Sequence, residues 1–302
     1  MQLEWKMRRR SGLSGECMKA PAFKYLRPES LDGVFAAFTE YGDEALILAG
    51  GQSLMPTLNM RLAQPAVLID INHIPALNGV EQSGDGVSIG ATTRHVDVMH
   101  SELVASELPL IGCAIKHVAH RGVRNRGTFG GSLAHADPAA EMAACAVALD
   151  ATLVLDSKAG ARRVAATDFF QGVMTTDRRS DEILTAVEFP PAVPDDVWAF
   201  RELSRRHGDF ALVGVAVKAR RSSAGFEDLR LVVFGCEERP RVSEIAASMV
   251  PSCTDPMEIV AAIAGELDPM SDLSGDAETK KFQAHTLIQR CLEDMFEGRL
   301  DG

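Results

Sequence analysis

Two short stretches carry small residues and single polar groups at spacings that suit the binding of an anion. The longer runs Thr128-Phe129-Gly130-Gly131-Ser132-Leu133-Ala134-His135-Ala136-Asp137-Pro138-Ala139-Ala140-Glu141. It reads as a small-residue turn followed by a helix over 138–149. Pro138 suits the first helical position, where its missing N–H has no intrahelical partner, and Asp137 can cap the amides of that first turn. Gly130 and Gly131 remove two side chains, so a ligand can come close to the backbone. The second stretch, Ala49-Gly50-Gly51-Gln52-Ser53-Leu54, follows the apolar run Ala45-Leu46-Ile47-Leu48. Exposed amides in such turns form concave anion sites. One Gly pair alone usually does no more than let the chain turn; two together can hold the two phosphates of a dinucleotide.

Other chemistries find less support. Ser53 and Ser132 lie outside the Gly-x-Ser-x-Gly elbow of a hydrolase, and the Walker pattern with its Lys is absent. Gly84, Gly86 and Gly90 have the wrong spacing for a Rossmann fingerprint and read as a hairpin. His117 and His120 lack a nearby acidic or cysteine partner for a metal. With Lys116, Arg121, Arg124 and Arg126 they form a basic run, either a solvated face or a surface for a cofactor phosphate or an acidic partner. None of the six cysteines lies within four residues of another, which excludes zinc or iron–sulfur ligand spacing. Backbone amides without a catalytic acid–base pair suit a protein that positions a redox cofactor.

The elements that must position these turns follow from periodicity. A helix is expected over 30–41, strands over 45–48 and 66–70, and a helix over 54–62 between them, together a βαβ unit. A hairpin turns at Gly84-Asp85-Gly86. A helix over 108–119 precedes the basic run, and strands cover 151–155 and 183–189. Pro190, Pro191 and Pro194 mark a domain boundary. Beyond it, strands over 212–219 and 229–234 and helices over 243–249, 256–265 and 277–296 predict an antiparallel sheet covered by helices. Residues 1–17 read as an extension detached from the fold. A net charge of −11 argues against a nucleic-acid surface, and no apolar run is long enough to be an integral membrane segment. Scattered cysteines suit a reducing cytoplasm.

The paired turns, with Ala136-Asp137-Pro138, Glu182-Ile183-Leu184 and Ser204-Arg205-Arg206, resemble the FAD-binding (medium) subunits of the molybdenum hydroxylases, the carbon monoxide dehydrogenase and xanthine dehydrogenase group. The resemblance runs from about Met18 to the C-terminus. It implies an α+β fold: a two-lobed FAD-binding domain of the PCMH type over 18–191, with lobes about 18–75 and 76–191. A smaller α+β domain with an antiparallel sheet and helices follows over 192–302. It implies FAD held by Ile47, Leu48, Ala49, Gly50, Gly51, Gln52, Ser53 and Leu54 and by Thr128, Phe129, Gly130, Gly131 and Ser132. Glu141 falls where relatives place an acid against the ribityl chain, with Asp137 as a weaker candidate. Leu184 matches an aliphatic position beside the flavin, and Arg201 a basic one; plain core packing and a surface charge are the alternatives.

The resemblance further implies a small subunit with two [2Fe–2S] clusters and a large subunit with molybdopterin, assembled as a dimer of heterotrimers. Electrons would pass from those clusters through FAD to an external acceptor. A self-contained FAD oxidase or reductase, or a nucleotide-binding scaffold without redox function, also fits the turns.

Overall fold

The computed structural model describes residues 19–223, 225–249 and 255–298; the expected extension over 1–17 lies outside them. The chain begins with β1 (Lys24–Leu26), α1 (Leu31–Tyr41), β2 (Ala45–Leu48), α2 (Leu54–Asn59) and β3 (Val67–Asp70). Ser30 starts α1 by accepting a hydrogen bond from the Gly33 amide, as an N-cap residue does. The three strands form a parallel sheet in the order β1-β3-β2. Parallel neighbours need a crossover, and α2 supplies it between β2 and β3. Pro56 lies in the first turn of α2, where the missing N–H costs nothing.

The second lobe is built on a five-stranded sheet. The hairpin of β4 (Val80–Ser83) and β5 (Gly86–Gly90) leads into α3 (His95–Met99), α4 (Glu102–Glu107), α5 (Pro109–Ala114), α6 (Arg121–Arg124), α7 (Phe129–His135) and α8 (Glu141–Ala148). Then come β6 (Thr152–Ser157), β7 (Gly160–Ala165), α9 (Ala166–Phe169), β8 (Phe170–Gly172), β9 (Thr175–Thr176) and β10 (Ile183–Phe189). The sheet order is β4-β5-β10-β6-β7.

Three expectations are corrected here. Gly130 and Gly131 lie in the first turn of a helix, α7, rather than in an open turn. The next helix starts at Glu141, not Pro138: the Asp137 side chain accepts from the Ala139 amide at 2.9 Å, closing a local turn. The helix expected to reach Ala119 also stops early, at Ala114. Ala119 takes a left-handed backbone (φ 44), and Arg124 Nη1 binds the carbonyls of Val118 and Ala119 at 2.8 and 2.7 Å.

The chain ends in the antiparallel sheet β11 (Asp196–Ser204), β12 (Ala211–Ser222), β13 (Gly225–Phe234) and β14 (Arg241–Val242), with α10 (Glu244–Met249), α11 (Pro256–Ile263) and α12 (Ala277–Glu297). Alternation along the strands splits this sheet between two cores. Val213, Val215, Val217, Leu231 and Val233 pack with Ile259, Ile288 and Leu292 beneath the terminal helices. Ala216, Val232 and Phe234, with Trp198 and Phe200 beside them, join the core of the second lobe, to which α8 belongs. All eight residues of α8 are buried, so this helix sits between two layers. Arg230 fixes the contact by donating to the Val147 carbonyl at 2.8 Å.

Gly214 is the closest fit in that sheet: a Cβ there would lie 2.1 Å from the Phe234 ring. Overpacking of this kind costs about 1–3 kcal/mol. Gly214→Ala is expected to lower stability by that amount in chemical denaturation; an unchanged midpoint would show that the sheet accommodates the methyl group.

Candidate functional site

The two glycine segments touch. A Cβ on Gly50 would lie 2.6 Å from the Arg126 carbonyl oxygen, 2.8 Å from Gly127 Cα and 2.9 Å from the Thr128 nitrogen. These neighbours are backbone, so nothing but hydrogen fits. Gly51 takes φ 70, the left-handed conformation that glycine tolerates. A Cβ on Gly131 would meet Thr128 Oγ1 at 2.4 Å and Ala49 Cβ at 3.5 Å. Gly130 serves packing, since its Cβ would strike Ala91 at 2.5 Å.

A polar brace holds the segments together. Asp70 closes β3 and accepts from the Tyr25 hydroxyl and from Asn72 Nδ2, the latter at 2.6 Å. Asn72 Nδ2 also donates to the Ala49 carbonyl at 2.8 Å, and its Oδ1 accepts from Arg94 Nη2 at 2.7 Å. Arg94 Nη1 in turn donates to the Arg126 carbonyl. Burial pushes the Asp70 carboxyl up, but the bonds from Tyr25 and Asn72 outweigh it and hold the group below its ordinary value. Burial first, then the Asp70 bond, raises the Tyr25 hydroxyl to about 12. The brace joins residues far apart in sequence, which is why no local motif reveals it.

Above this junction opens a cleft of about 850 Å³, near the upper end of the roughly 300–1,000 Å³ typical of cofactor sites. Ile47, Ala49, Gly50, Gly51, Gln52, Ser53 and Leu54 line one side. Thr128, Gly130, Gly131, Ser132, Asp137, Glu141 and Leu184 line the other. Three expected residues do not line it. Leu48 packs over Gly51. Phe129 is fully buried, edge-on to Phe189 at 6.1 Å. Arg201 points to α12, where its Nε donates to Asp294 Oδ2 at 2.9 Å.

Sequence reasoning missed several residues of the cleft. His95 and Arg178 line it, as do Gly208, Asp209 and the exposed Phe210 of the β11–β12 loop. That loop seats on the basic run: Gly208, at φ 85, lies so close to His120 that a Cβ would sit 2.7 Å from the ring. Arg178 is pinned by Nη1 bonds to the Arg179 and Glu182 carbonyls at 2.9 and 2.8 Å, and burial lowers its proton affinity. The basic run itself divides. Arg124 is a structural clamp, His117 pairs with Glu202 at 3.4 Å, and Lys116, Arg121 and Arg126 are exposed.

The site fits a dinucleotide on its own polar inventory. Among the described residues, the amides of Gly50, Gly51, Gln52, Ser53 and Gly131 have no hydrogen-bond partner, and neither does the buried Thr128 Oγ1. Buried polar groups are rarely left so. Anionic oxygens would satisfy such donors. The first residue of α8 adds a carboxyl group, and burial, then the charges of Glu202 and Asp137, raises Glu141 to about 8. Burial thus disfavours the charged form of Glu141 where it faces the cleft. Because its folded-state value is raised above 4.5 to about 8, its contribution to stability is full below 4.5 and is lost as pH climbs through about 8. Replacing Glu141 with Gln is expected to remove that fall, between about pH 4.5 and about pH 8, from a denaturation-against-pH profile of the cofactor-free chain; identical profiles would place the loss elsewhere.

The chain is similar to known proteins along most of its length. Residues 21–192 match the FAD binding domain in molybdopterin dehydrogenase, and residues 198–295 the CO dehydrogenase flavoprotein C-terminal domain. The chain is 35% identical to the glyceraldehyde dehydrogenase medium chain of Sulfolobus acidocaldarius, over 92% of this chain and 100% of that one. It is 36% identical to the carbon monoxide dehydrogenase medium chain of Hydrogenophaga pseudoflava, over 91% and 97% respectively. Its fold superposes on the structure of carbon monoxide dehydrogenase from Hydrogenophaga pseudoflava with a TM-score of 0.88, covering 93% of this chain and 99% of that chain at 34% identity. It superposes equally, at 0.88, on quinoline 2-oxidoreductase from Pseudomonas putida 86, covering 94% and 100% at 35% identity. With matches along nearly its whole length, the chain belongs to the FAD-binding medium subunits of the molybdenum hydroxylases.

Proposed function

We propose that the cleft holds FAD with its diphosphate against the amides of Gly50, Gly51, Gln52, Ser53 and Gly131. The observation that carries this assignment is the set of unpartnered donors at the junction of the two glycine segments. Thr128 Oγ1 adds a hydroxyl to the same cradle, and Glu141 and Asp137 lie farther along the wall. Leu184 and Ile47 supply apolar surface, and Arg178 a cation held in place by backbone carbonyls. Arg201 is outside the set because its guanidinium is taken by Asp294.

The chain works as one subunit of a heteromeric molybdenum hydroxylase, beside a small iron–sulfur subunit and a large molybdopterin subunit. Bound there, FAD would supply the redox chemistry by which electrons from the iron–sulfur partner reach an external acceptor. This chain's residues bind the cofactor, orient it and screen it from water. Full-length similarity to medium chains and subunits favours this reading over a self-contained oxidase. A reducing, cytoplasmic setting fits the buried, unbridged thiols of Cys145, Cys236 and Cys291. Among the described residues, no helix is long and apolar enough to cross a membrane.

The purified chain is expected to carry, or to take up, one equivalent of FAD with the absorption bands of a flavoprotein. Gly50→Ala must push apart backbone at 2.6–2.9 Å, so it should weaken FAD binding by at least about tenfold, equivalent to about 1.4 kcal/mol. Gly131→Val is expected to do the same while the fold persists in circular dichroism. Full flavin occupancy in both variants would show that these turns do not hold the cofactor.

A further inference from the structure

One buried polar side chain in the cleft wall is left without a partner. His95 opens α3, lines the cleft and is only 3% exposed. The backbone around it is fixed: the His95 amide donates to the Gly127 carbonyl at 3.0 Å, and the Phe129 amide to the Thr93 carbonyl at 2.8 Å. The ring lies against Gly127, where a Cβ would sit 2.9 Å from its Cδ2 and 3.5 Å from its Nε2. Gly127 is also the residue on which Gly50 packs, so the imidazole stands beside the junction of the two glycine segments. Yet Nδ1 is buried with no hydrogen bond, and among the described residues Nε2 has none either.

Buried polar side chains are seldom left so, and one that is calls for a ligand or an ordered water. The cleft wall beside His95 is apolar, formed by Val118, Ala119, Val123 and Gly127. One directional polar group in an apolar frame is how a site receives a flat ring with a polar edge. Burial, then the Arg124 charge, pulls the imidazole down to about 4, which favours the neutral ring. A neutral imidazole has one N–H donor and one nitrogen acceptor, and so suits an uncharged partner. The diphosphate has its donors in the glycine segments, but a dinucleotide also carries two uncharged nitrogen heterocycles, adenine and isoalloxazine. We propose that His95 is a binding residue for one of these heterocycles, making one hydrogen bond to its polar edge, with Val118 and Val123 as apolar surface beside it. The two rings share this chemistry, and ligands that carry only one of them tell them apart.

This inference rests on the FAD reading, and its test separates the two. The ring nitrogens of isotope-labelled histidine in the full chain are followed by NMR before and after FAD is added. FAD is expected to shift the His95 signals. Dissociation constants of FAD, ADP and FMN are then compared between the unmodified chain and His95→Ala. The variant should bind FAD about threefold to about tenfold more weakly, the worth of one neutral hydrogen bond. It should lose a similar factor for ADP alone if the ring is adenine, or for FMN alone if it is isoalloxazine. Equal losses for ADP and FMN would mark a general loss of shape around the cavity and overturn the inference. Unchanged FAD affinity in the variant, or His95 signals that bound FAD leaves unmoved, would overturn it too. In those cases FAD still binds the unmodified chain, so the cofactor reading stands. Absence of FAD binding to the unmodified chain overturns both. The NMR measurement needs no variant, so a substitution that fails to fold does not rescue the proposal.

Discussion

The site depends on one close approach, that of Gly50 to the backbone of Arg126, Gly127 and Thr128. A single methyl group at Gly50 would overlap three backbone atoms within 2.9 Å. This contact brings the end of β2 against the start of α7, so donors from two separate lobes converge on one point. The Asp70–Asn72–Arg94 brace holds that geometry from below, because it binds the Ala49 and Arg126 carbonyls at once. Neither glycine segment makes an anion site alone. Together they offer several amides with no other partner, an arrangement that water or a ligand must complete.

The second constraint is the burial of α8 between two layers. A helix buried on every side reads as a continuous run of small and apolar residues, and Met142 to Ala148 is such a run. Its first residue, Glu141, is the exception. It emerges at the cleft with its charge disfavoured by burial and by Glu202. The C-terminal sheet is thus more than an appended domain. It covers α8, supplies Glu202, and sends the loop of Gly208 to Phe210 to the mouth of the cleft.

Local chemistry made much of the fold legible. The strands at 45–48 and 183–189, the hairpin at Gly84 and the helix α1 all depend on neighbours within a few residues. Both glycine segments were legible for the same reason. The helical state of Gly130 and Gly131 was not: glycine is a poor helix former, and only the packing of Gly130 on Ala91 explains its place in α7. The strand β11 was hidden because its apolar alternation at Val197 and Ala199 gives way to charged residues from Arg201 onward. Arg201 could not be placed from sequence, since its partner Asp294 lies on the last helix. His95, Arg178 and Phe210 reach the cleft only through tertiary structure.

The central claim is that the unpartnered amides of the two glycine segments receive the cofactor's diphosphate. Amide hydrogen exchange over residues 49–53 and 130–132, read by NMR or mass spectrometry on the cofactor-free and FAD-loaded chain, tests it most directly. FAD is predicted to slow exchange at Gly50, Gly51 and Gly131 together, well beyond any change in the C-terminal sheet. Protection confined to other parts of the cleft, with these amides exchanging at the same rate in both states, would contradict the account.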